Sequence, residues 1–147
     1  MSLVAFLLAL IAGVTLTVQI GANSAARGYL GGDALMATLV SFLIGSAALL
    51  LYVLLARTPW PSRSGLLAAP WWIWTGGLLG AFYVASSVLA GPRLGAALFL
   101  SLAVLGQLSS SIAVDHFGWL GFEPHPATLA RVAGAVLMAA GVVLISR

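Results

Sequence analysis

The chain has 147 residues, of which 62% are apolar and 6% charged, with a formal net charge of +3 and no cysteine. A soluble domain usually carries charge on about a quarter of its residues, so this composition excludes a soluble globular fold. The lack of thiols excludes disulfides and thiolate metal sites. All six basic residues are arginines scattered singly along the chain, which argues against a nucleic-acid partner.

Five stretches with little or no charge follow one another, each close to the roughly 20 residues that cross a bilayer as a helix. Because lipid offers no partner to an unpaired backbone amide, each stretch is predicted to be helical. The predicted fold is an all-α integral membrane protein, a single domain over residues 1–147. Its five predicted transmembrane helices cover residues 3–25, 34–56, 69–90, 94–114 and 127–146.

The first apolar stretch is predicted to be a retained transmembrane helix rather than a cleaved signal peptide. Small residues in "GANSAARG" resemble a cleavage site. However, no Lys or Arg precedes the apolar run, and the run exceeds the 7–15 residues typical of a signal peptide.

Polar side chains interrupt these apolar helices. In helix one, Gln19 and Asn23 are four residues apart and share a face, and Gln107 and Ser111 have the same spacing in helix four. Polar groups that face lipid unsatisfied cost several kcal/mol, so these residues are expected to face the bundle interior or a wet cavity. The predicted substrate path consists of Gln19, Asn23, Ser41, Tyr83, Gln107 and Ser111.

Packing alone is an alternative explanation for some polar residues. Serine and threonine in membrane helices often donate to their own helix backbone, and this is the favoured interpretation of Thr15, Ser109 and Ser110. Glutamine and asparagine can also join helices, at about 1 kcal/mol per hydrogen bond. For the amides in helices one and four a substrate path is favoured, because three amide side chains are more than so small a bundle needs for packing.

Asp115 and His116 lie where helix four reaches water. One interpretation is an interfacial carboxylate and a turn, with Asp115 held by Arg131 at the start of helix five. The alternative is a gate at a cavity mouth, since histidine as a residue type changes charge near neutral pH. A metal site that adds Glu123 and His125 is not expected, because the spacing matches no ligand pattern. No cofactor is predicted.

Small residues indicate where helices approach closely. Gly76 and Gly80 form a Gly-x-x-x-Gly pair in helix three, and Gly134 and Gly141 lie with Ala130 on one side of helix five. The helix-five face is the predicted contact between two copies of the chain.

The arginines give little information on orientation. With five spans they divide three to three: Arg57, Arg63 and Arg131 on the N-terminal side, Arg27, Arg93 and Arg147 on the other. The positive-inside rule therefore has almost nothing to act on. Either a weak bias is hidden by Arg131 near a helix end, or the chain inserts both ways and opposite copies pair. The second interpretation is favoured, so the predicted partners are the bilayer, an antiparallel second copy and a small-molecule solute.

Several segments together resemble the YdcZ-like family of the drug/metabolite transporter superfamily. They are "GVTLTVQIGANSAA", "LVSFLIG", "PWWIWTGGLLGAFYV", "GPRLGAALFLSLAVLGQLSSSIAVDHFGWLG" and "RVAGAVLMAAGVVL", which cover nearly the whole chain. The resemblance implies a five-helix protomer equivalent to half of a ten-helix inverted-repeat transporter in the inner (plasma) membrane. Members of this family occur as single dual-topology chains, as oppositely oriented pairs and as fused doubles.

The expected function is transport of a small polar or amphipathic solute by alternating access in an antiparallel homodimer. Related small multidrug exporters bind cations through a carboxylate in helix one, where this chain has Gln19 and Asn23. A neutral, zwitterionic or weakly polar solute therefore fits better than a lipophilic cation. A passive channel in the same dimeric frame and a non-transporting membrane scaffold are the alternatives. No catalytic triad, metal centre or phosphate loop is evident, so an enzyme is not expected.

Overall fold

The structure is a computed structural model that describes residues 2–147, and within that range the chain is helical with no strand. Two short 3-10 turns cover Trp71–Trp74 and Trp119–Gly121. The α-helices are α1 (Leu3–Tyr29), α2 (Ala34–Leu55), α3 (Arg63–Ala68), α4 (Thr75–Leu94), α5 (Ala96–Phe117) and α6 (Leu129–Ile145).

Within residues 2–147, four helical segments are long and apolar enough to cross a membrane: α1, α2, the continuous stretch Trp71–Leu94, and α5. At 17 residues, α6 is shorter. At 1.5 Å per residue it spans about 26 Å, slightly less than the roughly 30 Å of a hydrocarbon core. The membrane character predicted from composition is confirmed, whereas five complete spans stay a prediction.

Large apolar side chains lie mainly on the outside of the protein. Leu8, Leu51 and Phe82 are all well over half exposed, and the most deeply buried positions are small residues such as Ala37 and Val88. This distribution is the reverse of a soluble fold, and it suits a chain whose outer surface contacts lipid rather than water.

The first connection is shorter than the sequence predicts. Helix α1 was expected to end near residue 25 but continues to Tyr29, so Arg27 lies in its last turn. Hydropathy marks where apolar side chains stop, whereas the helix continues as long as its backbone hydrogen bonds do. Asp33 then caps α2, and its carboxylate accepts hydrogen bonds from the amides of Leu35 and Met36.

The predicted helix over residues 69–90 is displaced at both ends. Pro70 separates the short α3 from the 3-10 turn that leads into α4, and α4 continues through Pro92 to Leu94. The predicted bounds leave only residues 91–93 between helices three and four, and the expectation that the chain turns there is wrong. Proline removes one backbone donor but keeps helical φ, so a helix can pass through it. The break falls at Gly95, whose φ of +82° favours glycine.

Predicted helices four and five are also shifted. Helix α5 extends to Phe117, so Asp115 and His116 lie in its last turn, and Gly118 ends it in the left-handed conformation. Helix α6 begins only at Leu129, after Thr128 has capped it by accepting from the Arg131 amide.

The described chain forms two compact units, one ending at Arg93 and the other beginning at Leu94. The first unit is centred on a small buried cluster of Ala34, Ala37 and Val88. Its helices approach closely where glycine leaves room: a Cβ on Gly91 would lie 3.3 Å from Ile20 Cγ2. In the second unit, α5 packs against α6, and a loop joins the two helices.

Candidate functional site: a polar cleft between two apolar helices

Two adjoining cavities lie between α1 and α2, and together they form what we call the α1–α2 cleft. Their volumes are about 220 Å³ and 320 Å³, and Ser41 lines both. The smaller cavity is lined by Ala22, Asn23, Ala26, Ala37, Val40, Ser41 and Ile44. The larger is lined by Gln19, Ser41, Phe42, Gly45, Ser46 and Leu49. The cleft therefore combines uncharged polar side chains with an apolar wall.

Three of the six predicted path residues meet at this cleft. Gln19 and Asn23 reach it from α1 because they are one helical turn apart, about 6 Å along the axis. Ser41 reaches it from α2. Ser46 adds a fourth polar residue, which the sequence analysis did not single out. Five residues correspond to a rotation of about 140° around the helix, so its spacing from Ser41 gave no signal, and only its polar character within an apolar helix could have indicated it.

Asn23 differs from the other buried polar residues of the chain. It is only 6% exposed, and its Nδ2 donor is buried without a hydrogen-bond partner. An unsatisfied buried donor costs about 1–3 kcal/mol, and nearly all buried polar groups in proteins avoid this cost. Asn23 thus lines the cleft while its buried amide donor makes no hydrogen bond within the protomer.

Among the residues that the structure describes, the other two deeply buried polar side chains are already hydrogen-bonded within their own helices. Thr38 donates to the Ala34 carbonyl at 2.8 Å, and Ser87 donates to the Val84 carbonyl at 2.7 Å. These bonds use the hydroxyl donors locally, so the two residues are explained by burial alone.

The same local bonding accounts for Thr15, Ser109 and Ser110. Thr15 donates to the Ala12 carbonyl at 2.8 Å, and the two serines donate to carbonyls four residues earlier at 2.8 and 2.9 Å. The packing interpretation of these three residues is confirmed.

A larger cleft of about 520 Å³ lies between α2 and α4 but has different chemistry. Its lining is Leu35, Thr38, Leu39, Phe42, Ala81, Phe82 and Ala85. Thr38 is the only polar residue among them, and its hydroxyl is bonded to Ala34. This cleft suits hydrocarbon and has no uncommitted polar group for a polar solute.

The remaining predicted path residues lie outside the lining of the α1–α2 cleft. Tyr83 is half-buried on α4 in the first unit. Gln107 and Ser111 lie one turn apart on α5 in the second unit, and both are exposed in the protomer. Their role in a path remains a prediction.

The predicted gate residues form a hydrogen-bonded assembly at the end of α5, which we call the loop clasp: Asp115, His116, His125, Ala127 and Arg131. Arg131 makes an ion pair with Asp115, as one interpretation of the sequence expected, and donates from Nη1 to the His125 carbonyl at 3.0 Å. The His125 amide donates to the Asp115 carbonyl at 2.7 Å. Loop 118–128 is thereby tied to both helices that it joins.

His116 contributes a second tie that the sequence did not reveal. Its Nδ1 accepts a hydrogen bond from the Ala127 amide at 3.1 Å, which requires Nδ1 to be unprotonated. The sequence spacing of eleven residues gives no periodic signal for this contact. The ring also stands edge-on to Phe117, with ring centroids 4.7 Å apart.

The turn that begins the loop depends on glycine. Gly118 has a φ of +63°, and a Cβ there would lie 2.8 Å from Pro124 Cγ. The backbone conformation and the neighbouring proline ring therefore both require a residue without a side chain.

The four predicted packing glycines have different surroundings. A Cβ on Gly80 would lie 3.6 Å from Phe42 Cζ, so Gly80 does lie at a helix contact. A Cβ on Gly76, Gly134 or Gly141 would meet no atom of the described chain within 4 Å. The protomer therefore accounts for one of the four, and the face of α6 that carries Gly134 and Gly141 stays a predicted contact with a second copy.

These features define the class of the protein: it is a helical membrane protein with a small, uncharged polar cleft. Comparison with known proteins identifies it further: residues 4–144 match the family described as "Putative inner membrane exporter, YdcZ". The chain belongs to this family, which confirms the resemblance seen in the sequence. It is a multi-pass inner-membrane protein, and its family is described by export rather than by an enzymatic reaction.

One curated relative is the "Inner membrane protein YdcZ" of Escherichia coli (strain K12), 34% identical over 77 residues. The match covers 52% of this chain, and the chain spans about half (51%) of that relative's length. No solved structure matches the chain.

Proposed function

We propose that this chain is a protomer of a transporter that moves a small polar or amphipathic solute across the inner membrane by alternating access within an antiparallel homodimer. The family description supports export in general. The observation that carries the proposal is the unpartnered Asn23 amide at the α1–α2 cleft. A purely structural amide would be bonded to a neighbouring helix, whereas a binding amide needs a donor left open for the solute.

Burial of that donor is the reason for choosing alternating access over a static path. In the described conformation the Asn23 Nδ2 is inaccessible as well as unbonded. A solute can reach it only when the walls of the cleft separate or the side chain turns. Such a donor favours a second conformation in which its hydrogen bond is made, and carriers exchange between conformations of this kind around one site.

Exposed polar residues support a second copy of the chain. Gln107 and Ser111 are exposed on a helix that is long and apolar enough to cross the membrane. An amide facing hydrocarbon without a partner costs several kcal/mol, so a covering protein surface is favoured over lipid. The open face at Gly134 and Gly141 would allow a second backbone to approach. The equal division of the arginines favours an antiparallel arrangement.

Absence of cysteine allows a direct test of orientation, because a single introduced thiol is then unique. We expect Thr58→Cys, in the exposed connection after α2, to react with a membrane-impermeant maleimide in about half of the copies in intact spheroplasts and in all copies after lysis. Reaction of all or none of the copies before lysis would contradict dual topology. The parent protein is the labelling control.

Counterflow distinguishes a carrier from the alternative channel. A thermal-shift screen of metabolites on the purified protein would identify a solute, which is then radiolabelled and loaded into proteoliposomes. We expect saturable uptake that is accelerated by unlabelled solute on the opposite side. Flux that rises linearly with concentration and shows no counterflow would indicate a channel. No flux from any stabilising solute would favour a non-transporting scaffold.

A further inference from the structure

We infer that Asn23 anchors the solute through a hydrogen-bond-accepting oxygen, and that the α1–α2 cleft selects solutes that carry such an oxygen and no net positive charge. This inference rests on the proposed function, since it concerns the solute of the same site. The inference goes beyond that function because it assigns the atom that recognises the solute, Nδ2 of Asn23, and the chemical class of the solute.

The first step is the chemistry of the open group. A carboxamide nitrogen is a donor only, with two N–H groups and no acceptor capacity. Because the Nδ2 of Asn23 has no partner in the protomer, the group that completes it must be an acceptor. Carbonyl, carboxylate, N-oxide and ether oxygens qualify, whereas an alkylammonium group does not.

The second step is the charge of the surroundings. None of the residues that line the cleft is charged. Membrane sites for cations normally contain a carboxylate, because an unpaired charge in hydrocarbon is expensive. The nearest carboxylate along α2 is Asp33, and it is engaged by the Leu35 and Met36 amides in the helix cap.

The nearest charge along α1 is positive. Arg27 lies one turn after Asn23, and its Nε donates to the Gly32 carbonyl at 2.6 Å. Four residues correspond to about 6 Å along the helix axis, so the charge nearest to Asn23 on α1 disfavours a bound cation and tolerates or favours an oxygen with negative charge. The charge near the cleft and the open hydrogen-bond donor therefore both favour a solute with an acceptor oxygen over a cation.

The third step is size. Cavities of about 220 and 320 Å³ are at or below the lower end of the range usual for ligand sites. The solute, or the part of it that enters the cleft, is therefore a small group. Gln19, Ser41 and Ser46 supply further polar contacts around it.

Asn23 is the only asparagine in the chain, which gives a selective probe. If the protein is prepared with asparagine labelled with ¹⁵N at the side-chain amide, its NMR spectrum shows the signal of one side-chain NH₂ group, that of Asn23. In nanodiscs, this signal can be followed during titration with trimethylamine N-oxide and, separately, tetramethylammonium chloride. The two probes have nearly the same size, but only the first has an acceptor oxygen and no net charge.

We expect trimethylamine N-oxide to shift the Asn23 signal saturably, with an apparent affinity at least about tenfold above that of tetramethylammonium. Thr38→Val removes a buried hydroxyl that is already bonded to its own helix, and this variant should give the same titration. Equal responses to both probes, a stronger response to tetramethylammonium, or linear shifts without saturation would overturn the inference.

A flux measurement separates failure of the inference from failure of the proposed function. Saturable binding at Asn23 without counterflow of labelled trimethylamine N-oxide or of any stabilising metabolite would support the acceptor site and contradict transport. Counterflow of a cationic solute that leaves the Asn23 signal unmoved would support transport and overturn the assigned class.

Discussion

Two regions of this protein contain groups of polar side chains and use them in opposite ways. In the loop clasp, Asp115, Arg131 and His116 are hydrogen-bonded to side chains and backbone of the same short stretch. In the α1–α2 cleft, the Asn23 amide nitrogen is more deeply buried and has no partner. Polar groups that hold a membrane protein together are bonded internally, whereas a buried group left unbonded is available for a ligand.

Exposure strengthens this contrast. The Arg131 and Asp115 side chains are 33% and 26% exposed, so water could satisfy them in part if their bond were lost. Asn23 is only 6% exposed and has no such recourse in the described conformation. The residue with the greater need for a partner is the one that lacks it, which is unusual for a structural contact and supports the binding role proposed for Asn23.

The largest effect on stability is expected from Gly118→Ala in the loop clasp region. The new methyl group would contact Pro124 at 2.8 Å and would hold an alanine at a positive φ. We expect a loss of about 3 kcal/mol in the free energy of unfolding, combining overpacking with backbone strain. Gly121→Ala is the matched control, because φ is +83° there but no atom lies within 4 Å of the new Cβ. It should lose about 1 kcal/mol, and detergent unfolding of both variants provides the comparison.

Pro124→Ala should restore part of the loss in the Gly118→Ala background, because it removes the Cγ atom that the new methyl group meets. An unchanged loss in the double variant would show that the contact with Pro124 is not the cause.

A smaller loss is expected from Asp115→Ala, which leaves Arg131 without its carboxylate. Hydrogen bonds to charged groups contribute about 1.5–3 kcal/mol, and partial exposure places this one near 2 kcal/mol. The melting temperature in detergent should fall by several degrees, while solute binding by the folded protein is retained. Glu123→Ala removes an exposed carboxylate that takes no part in the ion pair, and it should have little effect. Equal losses of stability in the two variants would show that the change in net charge, and not the loss of the ion pair, is the cause.

The smallest effects are expected where a hydroxyl is bonded only to its own helix. Thr15→Val and Ser110→Ala each remove such a donor, and the carbonyls they leave belong to the helix backbone. We expect changes below about 0.5 kcal/mol in unfolding free energy and unchanged solute flux. Loss of flux in either variant would extend the functional surface beyond the α1–α2 cleft.

Hydropathy predicts that the helices exist but not where they end. All five predicted helices have a counterpart, yet α1 continues to Tyr29 and α4 passes through Pro92. Apolar runs record which side chains tolerate lipid, whereas a helix ends where backbone hydrogen bonding ends. The break at Gly95 and the turn at Gly118 follow from positive φ values, and a sequence rich in glycine does not reveal which glycines adopt them.

Local spacing also predicts only part of the site. Gln19 and Asn23 share a face of one helix, so their joint position at the cleft follows from helical periodicity. The position of Ser41 at the cleft depends on how α1 packs against α2. Spacing along one helix does not predict that packing. Opposite charges close to adjacent helix ends made the ion pair between Asp115 and Arg131 predictable. The bond between Ala127 and His116 joins positions with no periodic relation.

The most direct test of the account combines unfolding and solute binding in Asn23→Leu, with Thr38→Val as the control. Leucine has as many side-chain heavy atoms as asparagine but a larger volume, which the adjoining cavity of about 220 Å³ can accommodate, and it removes a buried donor that has no partner. We expect Asn23→Leu to unfold at the same temperature as the parent protein or a higher one, to keep the parent's oligomeric state, and to lose stabilisation by the solute. Thr38→Val should keep that stabilisation. A marked loss of stability in Asn23→Leu, with normal solute binding by the folded protein that survives, would show that Asn23 is structural and would contradict the account.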